Sequence, residues 1–82
     1  MNLTELKAAL ERQGLPSRRY SLSGGSPNGG FGLDHEGDTW TVYYSERGQR
    51  CYIIESYDTE DAACRRLWDL ATGGRRLPGG TD

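Results

Sequence analysis

An α+β fold is predicted: a four-stranded antiparallel meander flanked by N- and C-terminal helices in the order α-β-β-β-β-α, with both helices on one sheet face. Three observations predict it. A leucine stripe with sharp stop signals opens the chain, alternating aromatic and β-branched residues fill its middle, and an alanine- and leucine-rich pattern of helical period closes it. Residues 1–72 form one domain on this reading, and 73–82 a Gly/Pro/Arg-rich disordered tail.

The opening helix is capped by Asn2, with Glu5 three residues on, where a capping-box acid belongs. Leu3, Leu6 and Leu10 share one stripe, while Lys7, Glu11 and Arg12 fall elsewhere. Gly14 supplies a left-handed stop, Leu15 a hydrophobic contact beyond it, and Pro16 forbids continuation. A short strand over Arg18–Ser23 then sets Tyr20 and Leu22 on one face. Gly24–Gly30 is a turn-rich loop, Phe31 and Leu33 alternate in a weaker second strand, and Asp34–Asp38 is a polar turn.

Thr39–Glu46 carries the strongest strand signal, with Trp40, Val42 and Tyr44 on one face and Thr41, Tyr43 and Ser45 on the other. Arg47-Gly48 makes a two-residue hairpin turn, and Gln49–Tyr57 is the returning strand. That register sets Tyr44 opposite Cys51, Val42 opposite Ile53, and Tyr43 opposite Tyr52. The expected core face is Trp40, Val42, Tyr44, Cys51 and Ile53, and a one-residue slip would exchange the faces of the last strand. The closing helix is capped by Asp58 or Thr59, carries Glu60 and Asp61 at its positive end, and ends at Gly73-Gly74. Its apolar stripe runs through Ala63, Cys64, Leu67, Trp68, Leu70 and Ala71.

Composition narrows the function. Only 34% of the residues are hydrophobic and the mean hydropathy is −0.79. Nearly every large apolar side chain is therefore needed for one small core, and few remain to line a deep pocket. The polar opening has no signal-peptide run, and no stretch is long enough to span a membrane, so the expected compartment is the cytoplasm. Cys51 and Cys64 match no metal spacing and are too few for a disulfide scaffold. Two buried free thiols is the ordinary reading, and a Cys51–Cys64 bridge the alternative. Between Phe31 and Ala63 eight acids face two arginines, while the segments on either side are net basic. Such a middle repels nucleic acid and steers a basic partner.

The candidate chemistry is thin. Asp34-His35-Glu36-x-Asp38 offers oxygen ligands at alternate positions, but it lacks the length, central glycine and terminal acid of a calcium loop. Neither cysteine has a basic neighbour to activate it. The acids lie in exposed turns where no shifted pKa is expected, and the glycine-rich loop has no lysine and leads into a strand. No cofactor is expected, and the chain reads as a binding protein rather than an enzyme. An α-β-β-β-α order is also that of double-stranded-RNA-binding domains, but those need cations where Asp58, Glu60 and Asp61 stand. A small nucleic-acid-associated or regulatory domain using the basic ends, with Arg65, Arg66, Arg75 and Arg76, is the alternative function.

Along Trp40-Thr41-Val42-Tyr43-Tyr44-Ser45-Glu46-Arg47-Gly48, together with Gly14-Leu15-Pro16, Tyr20-Ser21-Leu22 and Glu60-Asp61-Ala62-Ala63-Cys64, the chain resembles small bacterial immunity proteins encoded beside polymorphic or contact-dependent toxins. The resemblance spans most of residues 1–72. It implies a catalytically inert cytoplasmic protein that binds and neutralises one cognate toxin domain, a basic nuclease being the kind an acidic inhibitor suits. The residues expected to meet that partner are Asp34, Glu36, Asp38, Glu46 and Arg47 for steering and charge-assisted hydrogen bonds, with Tyr43 and Tyr52 as anchors on the sheet face opposite Trp40.

Overall fold

The computed structural model describes residues 1–74; the expected tail lies, from residue 75 on, outside them. Helix α1 spans Leu3–Arg12 and is followed by a 3₁₀ turn at Ser17–Arg19. Strands β1 (Tyr20–Ser21), β2 (Gly30–Glu36), β3 (Thr39–Glu46) and β4 (Gln49–Tyr57) lead to helix α2 (Glu60–Thr72). The α+β class and the element order are those expected.

Local signals account for both helices. The Asn2 side chain accepts from the Glu5 amide at 2.9 Å, and the Glu5 carboxylate accepts from the Asn2 amide at 3.0 Å, closing the capping box. At the other end the Leu15 amide reaches Leu10 O and the Gly14 amide reaches Glu11 O. These are the two bonds of a Schellman stop. Helix α2 is capped by the Thr59 hydroxyl, which accepts from the Ala62 amide at 3.2 Å, and it ends at Gly73 with φ 72°.

Leu6, Ala9 and Leu10 of α1 meet Ala63, Cys64, Leu67 and Trp68 of α2 over Leu33, Val42 and Tyr20 of the sheet, in one cluster. Leu6, Leu10, Leu33 and Leu67 are wholly buried, each worth about 1.5–3 kcal/mol of transfer free energy. A polar strut ties the helices together as well. The Leu3 amide donates to Glu60 Oε2 at 2.8 Å, so this acid spends its charge on an α1 terminal N–H that has no partner within its own helix.

The sheet departs from the expected meander in three ways. Its order is β1-β2-β3-β4, but β1 runs parallel to β2, pairing Tyr20 with Phe31 and Ser21 with Gly32. A two-residue strand is only about 7 Å long, so the loop from Leu22 to Gly29 suffices to return the chain where a longer strand would need a full crossover. The Arg18–Ser23 strand shrinks accordingly, because Ser17–Arg19 coils. Second, β2 is a full seven-residue strand paired with β3 from Gly30↔Ser45 to Glu36↔Thr39. Only Gly37-Asp38 remains as the turn, and Asp34, His35 and Glu36 are strand residues.

Third, the β3–β4 hairpin begins as expected with Glu46↔Gln49 and Ser45↔Arg50 across Arg47-Gly48, and then slips twice. Bulges leave Cys51 and Ile54 without direct partners, so Tyr44 faces Tyr52, Tyr43 faces Ile53, and Val42 faces Glu55. The expected core face is corrected with it. Val42 is buried, Trp40 and Tyr44 are partly buried, and Cys51 and Ile53 are exposed. Helix α2 packs mainly on β2 and β3, which leaves much of β4 uncovered. Both cysteines are free.

Candidate protein-binding surface

The face of the sheet away from the helices is not the open surface its alternation suggests. Tyr43 lies on it and is wholly buried. Its ring lies across Gly32, the Arg50 guanidinium sits 3.8 Å from the ring centroid, and its hydroxyl donates to Gly25 O. The glycine-rich loop makes this cover. Its Gly25 amide donates to Ser21 Oγ at 2.8 Å, its Gly29 amide to Ser45 O at 3.1 Å, and Asn28 Oδ1 accepts from the Arg47 amide at 2.9 Å. Arg50 is held in turn by Asp34, with Nη2 3.2 Å from Oδ2. Tyr43 and Asp34, both expected to meet a partner, are thus committed to fastening the loop over the sheet.

Tyr52 is exposed (58%) but stands on the helix-side face. It stacks on Tyr44 at 5.4 Å between centroids, and Tyr44 meets Phe31 edge-on at 5.6 Å. The expected Tyr43–Tyr52 pair therefore does not form; one inserted residue at Cys51 moves the two rings to opposite faces. Phe31, at one end of the Phe31–Tyr44–Tyr52 row, also lines a cleft of about 320 Å³ with Leu15, Pro16, Tyr20 and Ala71 among its walls.

The remaining expected residues separate into two groups. Glu36 and Asp38 are exposed at the β2–β3 turn, whereas Glu46 and Arg47 are exposed at the β3–β4 turn. The eight residues of β3 hold these turns about 23 Å apart. Glu46 accepts from the Tyr44 hydroxyl at 3.3 Å, and Arg47 sits at φ 55° in the hairpin turn.

The register adds two acids that the sequence reading left out. Because Trp40 pairs with Tyr57, the end of β4 returns beside the start of β3. Asp58 thereby joins Glu36 and Asp38 at one end of the sheet, with Glu55 three residues further in, opposite Val42. The Glu36, Asp38 and Asp58 carboxylates hold no ion pair or hydrogen bond among the described residues, and Glu55 accepts only from the Tyr57 hydroxyl at 3.1 Å. His35 lies flat on Trp40 at the same end, 3.6 Å between centroids and 6° from parallel. Regular pairing around the Arg47-Gly48 turn would set Glu55 opposite Trp40; the two bulges bring Tyr57 there instead, so the turn alone does not reveal the place of Asp58.

No family model matches the chain, and neither curated proteins nor solved structures give a significant match.

The other acids of the middle segment are used internally. Asp61 contacts the Met1 ammonium and receives the Arg65 Nε at 2.9 Å, and these two cations hold its carboxyl below the usual aspartate value. Burial pushes the Cys64 thiol up to about 11, which removes it from nucleophilic chemistry. Among the described residues no group of three or more His, Cys, Asp or Glu side chains is placed to hold a metal ion, and no helix is long and apolar enough to cross a membrane. What the surface offers is directional charge: an anionic end built from two turns, carried on a rigid sheet.

Proposed function

We propose that the protein is an inhibitor of the immunity type, which binds a basic cognate toxin domain in the cytoplasm and performs no chemistry of its own. The observation that carries this reading is the gathering of Glu36, Asp38 and Asp58, with Glu55 beside them, at one end of the sheet. Free carboxylates on neighbouring turns focus a negative potential, which speeds encounter with a cationic surface and fixes its orientation. The aromatic surface of Trp40 and Tyr57 at the same end supplies area to desolvate. The likeness of the Trp40–Gly48 string and its flanking segments to immunity proteins points the same way.

The partner surface is accordingly narrower than the sequence suggested. Tyr43 and Asp34 serve the fold, Glu46 and Arg47 stand at the far end, and Glu36 and Asp38 remain as the central contacts. The test is to read the gene beside this one for a large secreted protein and to measure association with that protein's C-terminal domain. The double substitution Glu36→Lys with Asp38→Lys should slow association at least about tenfold, equal to about 1.4 kcal/mol, and remove most of its salt dependence. An association rate and salt dependence unchanged by the double reversal would overturn the assignment.

A further inference from the structure

We propose that the aromatic row Phe31–Tyr44–Tyr52, with Arg18, Arg19 and Arg47 beside it, binds single-stranded nucleic acid, the rings stacking on bases and the guanidinium groups meeting phosphates. This goes beyond the inhibitor reading and uses the opposite end of the sheet.

The pairing register places four aromatic residues in one line across the sheet. Tyr20 pairs with Phe31, Phe31 with Tyr44, and Tyr44 with Tyr52, so all four side chains project from the helix-side face. Tyr20 is packed into the core, Phe31 and Tyr44 are partly buried, and Tyr52 is 58% exposed. The row thus emerges from the core toward β4, where helix α2, packed mainly on β2 and β3, leaves the face open. Exposed rings in a line offer stacking surfaces to any base, whatever the sequence, because every base has a π-face.

Charge selects the occupant. Arg18 and Arg19 lead into Tyr20, and Arg19 lines the same cleft as Phe31. The Gly30 backbone lies against the Arg19 carbonyl, and Asn28, two residues earlier, accepts from the Arg47 amide at 2.9 Å. The three arginines therefore gather around one stretch of the glycine loop, and their guanidinium groups hold no ion pair or hydrogen bond among the described residues. Arg47 is also held at φ 55°, and backbone strain of this kind collects where ligands are clamped. Glu46 beside the row accepts from the Tyr44 hydroxyl at 3.3 Å and is outnumbered by the arginines. The anionic turn lies about 23 Å away along β3, well beyond the Debye length of about 8 Å at physiological ionic strength, so it does not repel phosphates held here. An acidic peptide would meet the arginines alone, whereas a nucleotide brings a phosphate and a planar base together.

Fluorescence anisotropy of the full chain with labelled oligouridylate and oligothymidylate, each about ten nucleotides long, tests the proposal. A duplex of the same length and an oligoglutamate peptide are the comparisons. Saturable binding to either single strand, weakening as salt rises, is expected. Tyr52→Ala should weaken it at least about fivefold, and Tyr52→Phe should retain it, since the ring is what stacks. Arg47→Gln should weaken it and flatten its salt dependence. Both positions are exposed, so circular dichroism should show the folded chain unchanged. A chain that binds neither single strand at low salt, that binds the duplex or the acidic peptide equally well, or that loses nothing on Tyr52→Ala would overturn the proposal.

Discussion

Tyr43 is one of five tyrosines in the chain, and its neighbour Gly32 explains why this one is buried on a face that alternation assigns to solvent. A Cβ on Gly32 would fall inside the Tyr43 ring, so the glycine makes the space the ring occupies. Gly30 performs the same service one step away, where a Cβ would overlap the Arg19 carbonyl and push β1 off β2. Gly32→Ala should therefore cost about 1–3 kcal/mol through overpacking. Tyr43→Phe should cost about 1 kcal/mol, because it removes the hydroxyl that donates to Gly25 O and leaves the ring in place, and Tyr43→Ala about 3–5 kcal/mol for the lost ring. Urea unfolding of the three variants measures this order. A Tyr43→Ala variant as stable as wild type would mean that the ring is no part of the packed structure.

The β3–β4 hairpin shows what one element can tell. Its turn needs positive φ at both loop positions, and Arg47 at 55° and Gly48 at 77° satisfy it. Such a turn favours Asn before Gly, and a bulky L-residue in the left-handed region is held there at about 1–2 kcal/mol. The Asn28 side chain, accepting from the Arg47 amide, helps to hold the turn in that conformation. Arg47→Asn should relieve part of the strain and raise stability by about 0.5–1 kcal/mol, which for a domain of this size is a Tm increase of about 2–8 °C. Calorimetry checks it, and a lowered Tm would show that the Arg47 side chain contributes more than its backbone costs. Beyond the turn, the bulges decide which residues of β4 face the helices, and nothing in the pattern Gln49–Tyr57 announces them.

At the scale of the molecule, one cluster joins both helices to the middle of the sheet, and Cys64 lies within it while Cys51 stands on the open strand. The two thiols therefore report different events. In the native protein a thiol reagent at mildly alkaline pH should modify Cys51 promptly. Cys64, buried and with its thiol pushed up to about 11, should react only when the core opens. One fast equivalent in buffer and two in denaturant are expected, and Cys51→Ser should abolish the fast one. Rapid reaction of both thiols in the native state would contradict the single packed core. The same scale governs charge. Of the eight acids between Phe31 and Ala63, Asp34, Glu60 and Asp61 are tied to Arg50, the Leu3 amide, and Arg65 with the Met1 ammonium. The outward field is thus made by fewer groups than the composition implies.

The sequence by itself determined the helices, their caps and stops, the β3–β4 turn, and the α+β order. All of these depend on contacts within a few residues: Asn2 with Glu5, Gly14 with Glu11, Leu15 with Leu10, Thr59 with Ala62, and Arg47 with Gly48. Val42 and the α2 stripe were legible for the same reason, since periodicity alone sets their face. Only the tertiary structure decided that β1 runs parallel, that a glycine loop folds over Tyr43, that two bulges separate Tyr43 from Tyr52, and that Asp58 and Glu55 join Glu36 and Asp38. Strand direction and register are set by contacts between residues far apart in the chain, where alternation has the same period in either direction and a single inserted residue reverses every face beyond it.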